Sequence, residues 1–254
     1  MSNEFEPLRF REKLGYGLGD TASNFFFATF NIFLLYYYTD VFGLSAAAVG
    51  TMFLVTKIVD AVSDPIMGLI ADRTNSRWGK FRPYLLWVAI PYGVCGYAMF
   101  ANPDLGETGK LIYAYVTYSA MMLAYTAINV PYSALMGVIS PSSLERTKVA
   151  SYRFFCAFIA GWLVGTFVTP MKNILGAGDE ARGFQLTMLT FAVVSIALFW
   201  TTFATTKERV IPTTTKTDLR KDLRALFQNG PWIALFLTGI FTPVSYTHLT
   251  LPTI

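Results

Sequence analysis

Three charged side chains, Lys57, Asp60 and Asp64, interrupt the otherwise apolar run Thr51-Met-Phe-Leu-Val-Thr-Lys-Ile-Val-Asp-Ala-Val-Ser-Asp-Pro-Ile-Met-Gly-Leu-Ile. At the centre of a membrane helix each charge costs roughly 2.5–3.5 kcal/mol, so the trio costs about 8–10 before compensation. Their spacing of i, i+3 and i+7 places all three on one helical face. That face is expected to look into a bundle or a watery cavity rather than at lipid. Charges held at membrane depth point to an ion or substrate pathway, so the chain reads as a transporter.

Composition supports a membrane setting. The 254 residues are 54% hydrophobic and 14% charged, against about 25% charged in soluble domains. Runs able to cross a bilayer need about 20 mostly apolar residues. Six are expected, at about 14–38, 45–70, 84–101, 111–139, 149–171 and 185–205. Their short connections leave no room for a soluble domain. Cys95 and Cys156 both fall inside these runs and read as buried structural thiols. No cysteine–histidine spacing suggests zinc, and the first run is too long for a removable signal peptide.

The net charge of +4 does not mark a nucleic-acid binder, because of how it is distributed. Fifteen Lys and Arg lie before the first run or in the connections after runs two, four and six. The alternate connections hold only Lys110, Lys172 and Arg182. The positive-inside rule therefore puts the N-terminus and the segment after run six in the cytoplasm. The expectation is an integral plasma-membrane protein, of a bacterial inner membrane, with the lipid bilayer as partner and no nucleic acid.

Residues 1–206 thus read as a six-helix transmembrane bundle and 207–230 as a cytoplasmic linker. Leu219, Leu223, Leu226 and Phe227 recur in the linker at the spacing of a short amphipathic helix. A seventh apolar run begins at 231 and stops near 243, too short to cross. The tail 244–254, Val-Ser-Tyr-Thr-His-Leu-Thr-Leu-Pro-Thr-Ile, is unlike anything before it. It reads as a non-native end resembling translated adapter sequence, and the chain as the first half of something longer. His248 lies in that tail and is no candidate for proton relay.

Between runs two and three stands Gly68-Leu-Ile-Ala-Asp72-Arg73-Thr-Asn-Ser-Arg77-Trp-Gly79-Lys80-Phe-Arg82-Pro. It resembles the loop signature of the major facilitator superfamily. There Gly68, Asp72, Arg73, Arg77, Gly79 and Lys80 would shape a tight cytoplasmic turn, Asp72 accepting hydrogen bonds from a neighbouring helix N-terminus. Further segments sharpen the likeness: Tyr36-Tyr-Tyr-Thr-Asp-Val-Phe-Gly-Leu-Ser, Asp60-Ala-Val-Ser-Asp-Pro-Ile-Met-Gly, Arg77-Trp-Gly-Lys-Phe-Arg-Pro and Tyr152-Arg-Phe-Phe. From about Gly15 to Lys207 the chain resembles the glycoside–pentoside–hexuronide:cation symporters, the melibiose permease-like family. The resemblance implies an all-α membrane protein, six transmembrane helices forming the N-terminal half of a twelve-helix fold, with a truncated seventh span.

The same resemblance implies the site. The family's cation site falls on Asp60 and Asp64, with Ser63 and Thr126 adding neutral oxygens. Hard oxygen ligands suit Na⁺ or Li⁺, and a close carboxylate pair also suits H⁺. Where the family pattern has a third carboxylate in span four, this chain has Asn129, which keeps a carbonyl oxygen without the charge. Lys57 brings the span-two face to a net −1, a balance for one monovalent cation. The family's sugar-binding arginine falls on Arg153 and its helix-one acid on Asn24. Asp20 lies one turn earlier, and Asp20, Asn24 and Asn31 drift only about 40° around a helix, forming a polar stripe. Asp20, Asn24, Asn129, Tyr132 and Arg153 are the expected sugar contacts, Arg153 gripping vicinal hydroxyls or a uronate carboxylate. Ser133 stands where a sugar-stacking tryptophan is expected.

The function implied is import of a glycoside, pentoside or hexuronide together with one cation by alternating access. No cofactor is expected, and the missing C-terminal six-helix half is an expected partner. An intramembrane aspartyl protease is suggested by Gly17-Leu-Gly-Asp20, but such a dyad needs a second aspartate on a facing helix. A third reading is a membrane module that binds a partner without transporting.

Overall fold

The computed structural model describes residues 7–210, 228–231, 233–234 and 237–238. Among the described residues all regular structure is helical. Helix α1, Phe10–Thr29, continues through two π-helical segments, Phe30–Leu34 and Tyr37–Val41, so the first expected run is helical throughout. Helix α2 is Ala46–Arg73, α3 Arg82–Trp87, α4 Ala89–Ala98, α5 Glu107–Val138, α6 Ser143–Gly176 and α7 Glu180–Thr205. Helices α2, α5, α6 and α7 are long and apolar enough to cross a membrane. Each covers one of the expected runs to within a residue, α2 beginning at Ala46 after its cap Ser45 and α5 ending at Val138.

The third run is divided into α3 and α4 around Val88. Pro91 has no N–H to donate to the Trp87 carbonyl one turn back, which accounts for the break there. The chain still runs on as a helix, since Val88 N–H donates to Tyr84 O and Tyr92 N–H to Val88 O, both at 2.9 Å. Side-chain caps start three of the helices: Ser45 accepts from Ala48 N–H, Ser142 from Glu145 N–H and Asp179 from Arg182 N–H.

Helix α1 is central, packing most heavily on α6 and α7, while α4 lies on α7 and α2 on α5. Its glycines permit that closeness. A Cβ on Gly17 would sit 2.7 Å from Cys156 Sγ, and one on Gly19 would sit 2.7 Å from the Tyr132 ring. The Gly17-Leu-Gly-Asp20 sequence is therefore a packing device, letting α1 meet α5, α6 and α7. Both cysteines are free, Cys156 buried and Cys95 half-buried.

Outward faces are strongly apolar. Ile58, Val62 and Ile66 on α2 and Phe154, Phe155, Phe158 and Trp162 on α6 are all exposed. Such apolar helical faces suit acyl chains or another apolar bundle. Unit one of the chain ends at Ile211. In the second unit, residues 228, 230–231, 233–234 and 237–238 are helical. The amphipathic segment expected at 219–227 and the tail from 244 lie outside the described residues.

Candidate functional site

Two polar centres form on the bundle, joined by residues of α5; in the second, Thr126 is buried while Lys57 and Asp64 are exposed. The first lies between α1 and α6. Asp20 is buried, and its Oδ1 accepts Arg153 Nε at 3.1 Å. The guanidinium carbon of Arg153 also stands 5.3 Å from the centre of the Tyr132 ring. That ring is held from behind by Tyr16, with ring centres 4.6 Å apart and stacked. Tyr132 donates to Tyr16 O at 2.6 Å while Tyr16 donates to Tyr132 O at 2.9 Å. Tyr132 was expected to touch substrate. It is fully buried, its hydroxyl bonds α1 and its ring lies against Arg153.

Asn24 lies beside this pair, its amide donating to Asp20 O at 2.9 Å. Asn31 repeats the same bond to Phe27 O at 2.7 Å and is exposed. Each asparagine uses one amide N–H on the carbonyl one turn back in its own helix.

The second centre lies between α2 and α5. Thr126 Oγ1 donates to Asp64 Oδ1 at 2.8 Å. Lys57 Nζ is 3.4 Å from Asp60 Oδ2, and Ser63 Oγ donates to Asp60 O at 3.3 Å. Asp60 Oδ1 is shut off from solvent and has no hydrogen-bond partner among the described residues. A buried carboxylate oxygen without a donor is costly, and a bound cation or a proton would relieve it. Lys57 is largely exposed, its side chain 66% accessible, and it offsets the negative charge from Asp60 Oδ2.

Asn129 links the centres. Its Oδ1 accepts Ser23 Oγ at 2.8 Å and its Nδ2 donates to Tyr125 O at 3.1 Å. One lone pair of Oδ1 stays free. Sequence reasoning did not single out Ser23 or Tyr125. Tyr125 lies within electrostatic reach of Asp20, Arg153, Asp64 and Asp60 together. It stacks on Phe27 at 6.0 Å, which gives the phenol a rigid position between the two centres. Tyr125 immediately precedes Thr126, and a helical residue next to a ligand position was the available signal.

In the loop signature, Asp72 and Arg73 are exposed and Gly68 faces open space. Three amides at the start of α3 are held by Glu208. Its carboxylate accepts Lys80, Phe81 and Arg82 N–H at 2.9, 2.8 and 3.1 Å. Arg77 stacks over its neighbour Trp78 at 4.1 Å.

The chain matches the family model for MFS/sugar transport proteins over residues 15–250. The chain belongs to that family. It is 44% identical to the inner membrane symporter YicJ of Escherichia coli (strain K12), over 93% of this chain and 51% of that protein. It is 37% identical to the isoprimeverose transporter of Lactiplantibacillus pentosus, over 91% of this chain and 49% of that protein. It is 31% identical to the glucuronide carrier protein homolog of Escherichia coli (strain K12), over 94% and 53%. The chain thus spans about half the length of the curated relatives it matches. A crystal structure of the peptide transporter POT overlays with a TM-score of 0.56 at 16% identity, over 96% of this chain and 48% of that one; this likeness concerns the fold. The protein is an all-α integral membrane protein with the architecture of half a major facilitator fold. The protease reading lacks its geometry, because Asp20 faces an arginine rather than a second aspartate.

Proposed function

We propose that the whole protein of which these residues form the first half imports a sugar or glycoside in symport with one monovalent cation. The carrying observation is the α2–α5 centre, where Thr126 holds one carboxylate and the other presents a buried, unpartnered oxygen. Asp60, Asp64, Ser63 and Thr126 would bind Na⁺, Li⁺ or H⁺. One cation would bring the Lys57, Asp60 and Asp64 face to neutrality.

The sugar would bind against Asp20, Asn24, Tyr125 and Arg153. Arg153 uses Nε on Asp20, leaving its terminal nitrogens to donate to vicinal hydroxyls. Its charge is already balanced, so a neutral glycoside fits better than a uronate. That choice is in line with the name of the isoprimeverose transporter. Cation binding at α2–α5 would reach the sugar through Asn129 and Ser23, coupling the two occupancies before the halves rock. The N-terminus and the basic connections would face the cytoplasm. The 254 residues alone lack one wall of the cavity and would not transport.

The test is cation-driven uptake of labelled isoprimeverose and other glycosides by the full-length gene, with and without Asp64→Asn. Loss of cation-dependent accumulation with retained membrane expression supports the reading. Undiminished accumulation would remove Asp64 from the site.

A further inference from the structure

Far from both centres, where α1 begins and α7 ends, the bundle holds a cavity of about 330 Å³. Pro7, Arg9, Glu12, Thr205, Lys207 and Arg209 line it. Its size lies at the lower end of small-ligand sites. Three cations and one carboxylate meet there, a net charge of +2. Only one of the cations is neutralised: Arg209 Nη2 reaches Glu12 Oε1 at 2.6 Å. The other oxygen of Glu12 accepts Arg9 N–H at 3.1 Å, so Glu12 has little left to offer. Arg9 and Lys207 pair with no carboxylate among the described residues.

The arrangement is fixed by the backbone and not by chance meeting of long side chains. Arg209 N–H donates to Val138 O at 2.8 Å, tying the segment after α7 to the end of α5. Thr205 packs where α1 has Gly15. Arg9 and Lys207 are therefore presented from two anchored chain segments toward one space. Like charges held together without a counter-charge are unfavourable, and an anion relieves them. Arginine and lysine side by side suit phosphate oxygens, the guanidinium as a fork and the ammonium as a point charge.

We infer that this cavity binds a phosphate group, carried by an anionic phospholipid headgroup or by a soluble phosphate ester. Phe10, next to Arg9 in the chain and exposed, gives an acyl chain or glycerol backbone an apolar surface near that cation. Occupancy would tie the start of α1 to the segment after α7. The site is independent of the sugar and cation centres, so its test reads binding and not transport.

The experiment is native mass spectrometry of the 254-residue chain in detergent, titrated with phosphatidylglycerol and, separately, phosphatidylcholine. Phosphatidylglycerol should be retained about tenfold more tightly than phosphatidylcholine. Arg9→Gln with Lys207→Gln should lower that retention about tenfold, with helical circular dichroism unchanged. Arg73→Gln with Arg77→Gln removes the same charge from the exposed loop and should change it less than about twofold. Equal retention of the two lipids, or equal losses in the two double variants, would overturn the assignment. A competition arm separates the sources. Displacement by millimolar inorganic phosphate assigns the site to phosphate at large, and resistance to it assigns the site to the lipid diester.

Discussion

Tyr16 and Tyr132 exchange hydrogen bonds in both directions, each hydroxyl donating to the other residue's backbone carbonyl, with their rings stacked between. This clasp joins α1 to α5 behind Arg153. Each carbonyl already serves its own helix, so the phenols supply a second bond to it. Removing one hydroxyl by Tyr16→Phe or Tyr132→Phe should cost about 1 kcal/mol, the ring contact surviving. The double variant should cost less than the sum, because the two bonds share one geometry. Thermal unfolding in detergent measures this, and strict additivity would mean the bonds act independently.

Gly79 offers a second structural test. Its φ is +108°, and a Cβ there would run into the Glu208 carboxylate. Gly79→Ala should therefore lower stability by about 1–3 kcal/mol. Glu208→Ala should leave three amides of the loop and α3 unpaired. Hydrogen exchange at residues 80–82 should then rise about tenfold or more while α5 is unchanged. Unaltered exchange there would show that water replaces the carboxylate without loss.

Much of the fold was legible because apolar runs of bilayer length leave the backbone no alternative to helices. The contents of α2, α5, α6 and α7 follow from that alone. The two π-helical turns after Thr29 carry no sequence signature, and the break at Val88 follows from Pro91, whose effect lies one turn earlier. At the site, residue identities were legible and partnerships were not. Asp20 and Arg153 are both evident as misplaced charges in apolar runs, yet their contact spans 133 positions. Tyr132 looked available because sequence cannot show that its hydroxyl is spent on Tyr16. Glu208 was missed for a similar reason. A lone acid between Lys207 and Arg209 looks like surface polarity, and a helix capped from 126 residues away leaves no local pattern.

The ion cluster at the start of α6 predicts an acid response. Glu145, in the first turn of α6 ahead of its apolar stretch, bonds Lys13 and Lys148 at 2.8 Å each and Leu8 N–H at 3.1 Å. The hydrogen bonds from Lys13 and then Lys148 hold its carboxyl down, from 4.5 to about 2. A depressed folded-state value means the contribution is complete above 4.5 and fades as pH falls through 2. The melting-temperature gap between the native chain and Glu145→Gln should be constant at neutral pH and narrow below 4.5. A gap that stayed the same at pH 3 would show that Gln keeps the bonds that matter.

Thr126 should behave as an auxiliary and not an essential ligand. Its hydroxyl fixes Asp64 Oδ1 at 2.8 Å, and Thr126→Val keeps the shape while losing that bond. In the full-length protein the apparent cation affinity for uptake should fall about tenfold, with maximal uptake kept. Asp64→Asn should abolish the cation dependence itself. Equal effects of the two would mean that Thr126 is as indispensable to the cation as Asp64 is.

The Asp20–Arg153 pair makes the sharpest statement about substrate. With Asp20 in place, a uronate must compete with an internal carboxylate for Arg153. Asp20→Asn keeps the shape and a hydrogen-bond acceptor while leaving the guanidinium uncompensated in a partly buried setting. Breaking such a pair costs about 3–5 kcal/mol when nothing replaces the lost charge, and a carboxylate substrate would replace it. The variant should therefore bind neutral glycosides more weakly, by about tenfold or more, and hexuronides more tightly than the native protein does. Arg153→Lys should weaken both classes, since an ammonium lacks the planar fork that lets a guanidinium hold Asp20 on one edge and vicinal hydroxyls on another. Paired uptake assays with a neutral glycoside and a glucuronide in the full-length protein read the ratio directly. If Asp20→Asn lowered uptake of both classes equally, Asp20 would serve only to hold α1 against α6, and the acid would have no part in choosing the sugar.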